Sequence, residues 1–111
     1  MDSQIFELSR IAAELRSPGD RYLEFLRVPA LSVGLYALPK GGVDAQQPHT
    51  EDEVYYVLAG RSQFQSGAHD RAVQPGAVIY VKAGVEHRFH SIEDDLRVLV
   101  FFAPAEGTNR P

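Results

Sequence analysis

Cysteine is absent from this chain. That absence removes disulfides, thiolate metal ligands and a cysteine nucleophile together. Positive charge is short as well: 11 Lys and Arg stand against 15 Asp and Glu, a net charge of −4 with a pI near 5.5. No basic stripe is available to follow a phosphate backbone, so nucleic acid is not an expected partner. No apolar run approaches the roughly 20 residues of a membrane span, and no membrane association is expected. Met1-Asp2-Ser3-Gln4 offers no positively charged leader ahead of an apolar stretch, so a cytoplasmic location is the expectation. What remains is ordinary globular composition, 44% hydrophobic and 23% charged, over 111 residues. That length supports one core and not two.

No internal repeat or low-complexity tract divides the chain. Residues 1–20 read as an N-terminal strand or helix extension, in which Ser9 is a plausible N-cap and Ile11, Ala12 and Leu15 form one apolar stripe. Ser17-Pro18-Gly19-Asp20 should end that helix. From Arg21 the pattern is β throughout. Strands are expected over Tyr22–Val28, Leu31–Ala37, Gln46–His49, Val54–Ala59, Ser62–Ser66, Ala72–Val73, Val78–Val81, His87–Ser91 and Leu96–Phe102. Between them lie turn-forming stretches such as Lys40-Gly41-Gly42 and Ala59-Gly60-Arg61. Short strands at regular spacing predict an all-β sandwich or barrel over residues 21–103. The tail, 104–111, is expected to be disordered or loosely docked.

One stretch carries chemistry. Gln47-Pro48-His49-Thr50-Glu51-Asp52-Glu53 runs into the strand-like Val54-Tyr55-Tyr56-Val57-Leu58. A histidine and a carboxylate four positions apart are the residue types that hold a divalent transition metal. Pro48 and the β-branched, aromatic run argue against one helix through both. On a straight strand their backbones would stand roughly 13 Å apart. They can share an ion only if the chain reverses at Thr50-Glu51-Asp52. Gln47, two before His49, would point to the same face as a further ligand. A solvated acidic turn beside a stray histidine fits this stretch equally well, with Glu51 and Asp52 as the solvated turn.

Downstream, Pro75-Gly76 precedes Ala77-Val78-Ile79-Tyr80-Val81, then Lys82-Ala83-Gly84 and Val85-Glu86-His87-Arg88-Phe89-His90. With these two stretches the sequence resembles the cupin superfamily. Gly41, Gln47, His49, Glu53 and Gly60 fall on the spacings of the first cupin motif; Gly76, Gly84 and His87 fall on those of the second. There are three departures: Gln47 replaces the first motif histidine, Lys82 replaces a proline, and Ser91 stands where asparagine is usual. The resemblance implies a double-stranded β-helix, or jelly-roll barrel, preceded by a short N-terminal helix. It implies that His49, Glu53 and His87 hold one divalent ion (Fe, Mn, Ni or Zn), with Gln47 as a weak neutral donor. Homodimers and small-molecule ligands are common in the family and are expected here.

Strand alternation says which side chains should face the cavity. With Glu53 inward, Tyr55 and Val57 follow; with His87 inward, Val85 and Phe89 follow. Polar Arg97 marks the outer face of the last strand and turns Leu96, Val98, Val100 and Phe102 inward. On Leu31–Ala37 the face bearing Leu31, Val33, Leu35 and Ala37 is the more apolar and is expected inside. His69 and His90 are expected at the surface. Tyr55 is the candidate catalytic side chain, as proton donor or substrate hydrogen bond. Two histidines and a glutamate leave coordination positions open, so a metal-dependent small-molecule enzyme is the first reading, with dioxygenase-like chemistry ahead of isomerase or lyase chemistry. A non-catalytic metal- or ligand-binding protein and a metal-free dimeric scaffold are the alternatives.

Overall fold

The structure, a computed structural model, describes residues 3–15, 21–45 and 48–111. Runs rich in Val, Leu, Tyr and Phe fold as extended chain because branched and aromatic side chains pack on a pleated surface. Among the described residues they form β1 (Tyr22–Val28), β2 (Leu31–Leu38), β3 (Asp52–Ala59), β4 (Ser62–Ser66), β5 (His69–Val73), β6 (Val78–Val81), β7 (His87–His90) and β8 (Leu96–Ala103), preceded by helix α1 (Leu8–Glu14). A five-stranded sheet has the order β1-β2-β8-β3-β6 and faces a three-stranded sheet of order β5-β4-β7. The pairings are antiparallel. This is the jelly-roll architecture expected from the sequence, with its short N-terminal helix.

Register decides what the interior contains. Antiparallel partners share a face; β8 sits between β2 and β3, so Val98 and Val100 lie beside Tyr36 and Gly34 on one side and Val57 and Tyr55 on the other. Apart from Gly34, these join Leu38, Phe64, Val81, Phe89, Ile92, Leu96 and Phe102 in one buried cluster between the sheets. The inward phases expected for β3, β7 and β8 hold: Glu53, Tyr55, Val57, His87, Phe89, Leu96, Val98, Val100 and Phe102 are buried, and Val85 packs against the cluster partly buried. Gly60, in the tight β3–β4 turn, has φ +91°, and a Cβ there would lie 2.4 Å from the Asp95 carbonyl oxygen. Only glycine fits that position.

The phase of β2 is the reverse of the expectation. Its interior face carries Tyr36 and Leu38, while Val33 and Leu35 are buried on the opposite face, outside the interior cluster. Apolarity misled here because β2 is covered on both sides. The N-terminal segment packs on β1, with Phe6 edge-on to Phe25 at 5.0 Å and Ile11 buried, and needs an apolar outer face. The inner face of β2 lines a polar site instead. Several boundaries also differ: β2 runs on to Leu38, β5 opens at His69 rather than Ala72, β7 ends at His90 and β8 at Ala103. Helix α1 starts at Leu8 with Glu7 as N-cap and no side-chain cap, so Ser9 lies inside its first turn. Pro48 and His49 are not in a strand, and the strand after them opens at Asp52. The expected helix stop at residues 17–20 and the positions of Gln46 and Gln47 lie outside the described residues.

The tail after β8 is neither disordered nor loose. Ala105 is 2% exposed, and the amides of Gly107 and Asn109 donate to Glu51 at 2.7 and 2.9 Å. Glu51, expected in a solvated turn, is 2% exposed because these amides and the Thr50 hydroxyl occupy its carboxylate. Asp52 is exposed, as expected, and accepts the Ala83 amide.

Candidate metal centre

Three parts of the chain meet at one end of the interior. The loop before β3 delivers His49, the second residue of β3 is Glu53, and β7 of the opposite sheet delivers His87. One ligand atom from each lies within 4.8 Å of the others. The chain does reverse between His49 and Glu53, through Thr50 and Glu51, whose buried carboxylate anchors the turn to the tail. Gln47 lies outside the described residues, so the structure assigns it no place in the cluster.

The hydrogen bonding of His87 fixes its chemistry. Its Nδ1 lies 2.9 Å from the Val85 carbonyl oxygen, which can only accept, so Nδ1 carries the proton. Nε2 faces Glu53 Oε1 at 3.0 Å and the Tyr55 hydroxyl at 3.0 Å. Tyr55, fully buried, can donate to Nε2 when the ring is neutral. The Glu53 contact is close but lacks hydrogen-bond alignment, and neither carboxylate oxygen has a donor among the described residues. A buried carboxylate without donors, set against a ring nitrogen lone pair, favours a positive charge between them. In its absence a proton serves: burial lowers the pKa of His87, but Glu53 and the Val85 carbonyl outweigh it and hold the value above that of ordinary histidine.

Beyond the cluster lies a cavity of about 180 Å³ lined by Tyr22, Tyr36, His49, Val100, Phe102 and Glu106. Phe102 meets the His49 ring edge-on at 4.7 Å. Tyr22 lies across β2 where Gly34 leaves room, for a Cβ there would be 2.3 Å from its ring. Its hydroxyl is buried with no hydrogen-bond partner among the described residues. Burial first, then the charges of Glu106, Glu24 and Glu53, push its pKa far up. Burial likewise raises the carboxyl of Glu106; His49 opposes the rise, while Glu24 and Glu53 add to it. The region is crowded with negative charge, which suits a cation.

Two residues at the site had no motif to announce them. Asp44 is buried; one carboxylate oxygen accepts the Tyr36 hydroxyl at 2.7 Å and the other the Phe89 amide at 2.9 Å. Glu106, from the tail, brings Oε2 to 3.5 Å from His49 Nδ1. His69 is exposed, whereas His90 is half-buried and pairs with Asp70 at 2.9 Å, away from the cluster.

Comparison with known proteins agrees with this architecture. The Cupin domain family matches residues 34–102. An uncharacterized protein of Streptomyces coelicolor is 50% identical over 102 residues, 92% of this chain and 97% of its own. A conserved protein with a double-stranded β-helix domain from Klebsiella pneumoniae superposes with a TM-score of 0.77 at 18% identity, covering 97% of this chain and 94% of that one. The DMSP lyase DddQ of Ruegeria pomeroyi superposes with a TM-score of 0.69 at 20% identity, covering 89% of this chain and 55% of that one. Likeness at 18–20% identity shows the fold alone.

Proposed function

This chain belongs to the Cupin domain family, and from that premise we propose that it is a mononuclear metal-dependent enzyme acting on a small molecule, with His49, Glu53 and His87 as ligands. The observation that carries the reading is Glu53: 1% exposed, both carboxylate oxygens without donors among the described residues, and two imidazoles beside it. A divalent ion bound there supplies Lewis acidity or an open position for dioxygen. The two-histidine, one-carboxylate donor set puts oxygenase chemistry ahead of isomerase or lyase chemistry. Gln47 remains a candidate weak donor on motif spacing alone.

The chain's own groups supply the rest. Tyr55 holds a proton 3.0 Å from His87 Nε2, beside the three ligands rather than on the cavity wall, and is the candidate donor to a group held at the ion. Val100, Phe102 and the Tyr36 ring form the apolar wall, and the Tyr22 hydroxyl, without a partner among the described residues, offers a hydrogen bond to a polar group of the ligand. The cavity, about 180 Å³, is of a size for a small molecule. The carboxylates around it disfavour an anionic ligand unless the ion neutralises it.

Metal analysis of protein purified without added metal tests the reading. About one ion per chain is expected, iron favouring the oxygenase and manganese, nickel or zinc widening the choice. His87→Ala should abolish binding and His90→Ala should not. An empty wild-type site, or binding unaffected by His87→Ala, overturns the proposal in favour of a metal-free scaffold. One observation favours a homodimer in either case. Tyr56, Val78, Tyr80 and Phe101 are exposed together on the outer face of the five-stranded sheet, and the described helix packs on β1 instead. Sedimentation should give a dimer that Tyr80→Lys weakens. Among the described residues no helix is long and apolar enough to cross a membrane. Cell fractionation checks the cytoplasmic location proposed with this reading.

A further inference from the structure

The metal reading leaves Glu106 without a role, although the chain fixes it in place from several directions. Arg27 donates to its carbonyl oxygen at 2.6 Å, and its own amide donates to Ser32 Oγ at 2.9 Å. Just beyond, the amides of Gly107 and Asn109 end on Glu51, a carboxylate buried within two residues of both His49 and Glu53. The tail is therefore strapped to the strands that carry the site, and the side chain it presents there is a carboxylate 3.5 Å from His49 Nδ1.

A neutral imidazole carries one proton on either nitrogen, and the partner of one nitrogen decides which is left to bind a metal. His87 shows the device: Nδ1 donates to the Val85 carbonyl, so the lone pair is on Nε2, facing Glu53. We infer that Glu106 does the same for His49: it is a positioning residue that accepts the Nδ1 proton, orients the ring and leaves the Nε2 lone pair for the ion. The 3.5 Å separation is an ion-pair contact and long for a hydrogen bond, so the tautomer has to be read directly. A carboxylate acceptor also raises the basicity of the ring, which a backbone carbonyl does less well. The effect on metal affinity rests on the proposed metal site; the effect on the His49 tautomer does not.

The test reads both. In chelator-treated protein at pH 8, long-range ¹⁵N–¹H correlation of His49 should show the Nδ1–H tautomer. Glu106→Ala should move the population toward Nε2–H, and Glu106→Gln, which keeps an acceptor oxygen, should largely restore it. Glu51→Gln, which retains the Glu106 side chain but loosens the strap, should shift the population part of the way. Calorimetric titration with Co(II) should show affinity falling about 10- to 100-fold in Glu106→Ala and less in Glu106→Gln. The backbone anchors remain in these Glu106 variants, so both should fold, and thermal melts check that they do. A wild-type His49 already in the Nε2–H form, or a tautomer unmoved by Glu106→Ala, overturns the inference. Equal Co(II) affinity in wild type and Glu106→Ala overturns it while leaving the metal reading intact. A tautomer shift in a protein that takes up no Co(II) upholds the positioning role and removes the metal reading.

Discussion

Replacing Glu51 with glutamine should loosen the tail by an amount that can be worked from its contacts. Oε1 accepts the Gly107 amide at 2.7 Å; Oε2 accepts the Asn109 amide at 2.9 Å and the Thr50 hydroxyl. Glutamine keeps one acceptor oxygen and turns an NH₂ group toward a donor. One hydrogen bond to a charged group is lost in a buried place, which costs about 1.5–3 kcal/mol. A value of about 2 kcal/mol corresponds to roughly 30-fold faster opening of the strap, read as lost hydrogen-exchange protection at the Gly107 and Asn109 amides. If the strap unfolds together with the barrel, the urea midpoint falls by about 1.3 M at a slope near 1.5 kcal/mol per M. If it opens alone, the midpoint falls less, while exchange still reports the whole loss. The effect should also depend on pH. Burial would raise the carboxyl of Glu51, but the Thr50 hydroxyl and the two amides outweigh it and hold its pKa below the ordinary 4.5. A depressed carboxyl contributes stability that is complete above 4.5 and lost as pH falls through its folded value. The gap between wild type and Glu51→Gln should therefore close in acid. Unchanged protection at both amides with a midpoint shift under about 0.3 M would refute this account of the strap.

Further outcomes follow from the site and the turns. In chelator, the stabilisation tied to protonated His87 should be complete below about pH 6.5 and lost as pH rises through its elevated folded value; melts from pH 6 to 9 read it, and metal added at the alkaline end should restore stability. Tyr55→Phe removes the hydroxyl on His87 Nε2 and should cost about 0.5–1.5 kcal/mol in chelated protein by urea titration, with ligand affinity or turnover altered in the loaded form. Gly60→Ala must put a Cβ 2.4 Å from the Asp95 carbonyl oxygen at φ +91°, so a loss of at least about 1–3 kcal/mol is expected in the same assay.

The spaced motifs made the barrel legible, since glycines, histidines and the glutamate at fixed intervals correspond to turns and inward positions that local chemistry enforces. Alternation then gave correct facing wherever one side of a strand met solvent, as on β3 and β8. It failed on β2, where Val33 and Leu35 are buried on the outer face as well, so the more apolar side is not the interior one. The buried state of Glu51 was invisible locally, because its donors are amides from the far end of the chain. Glu106 was invisible for the same reason: an acidic residue between Ala105 and Gly107 in a short polar tail carries no periodic signal. Asp44 lacked a motif position, and nothing local distinguishes it from a loop aspartate.

The two sheets face each other mainly through Val, Leu, Tyr and Phe, contacts that are strong but indifferent to small sliding. Directional ties across that seam come from polar groups. Glu53 on the larger sheet meets His87 on the smaller, and Asp44 holds Tyr36 of one and the Phe89 amide of the other. An ion shared by Glu53 and His87 would add a rivet to those ties. Its binding free energy would then appear as resistance to sheet separation, by RT ln(1 + [L]/Kd), about 2.7 kcal/mol at a hundred times Kd. Hydrogen exchange should show that protection along β7, an edge strand of the three-stranded sheet, because β7 carries the ligand and pairs with β4 alone among the described strands.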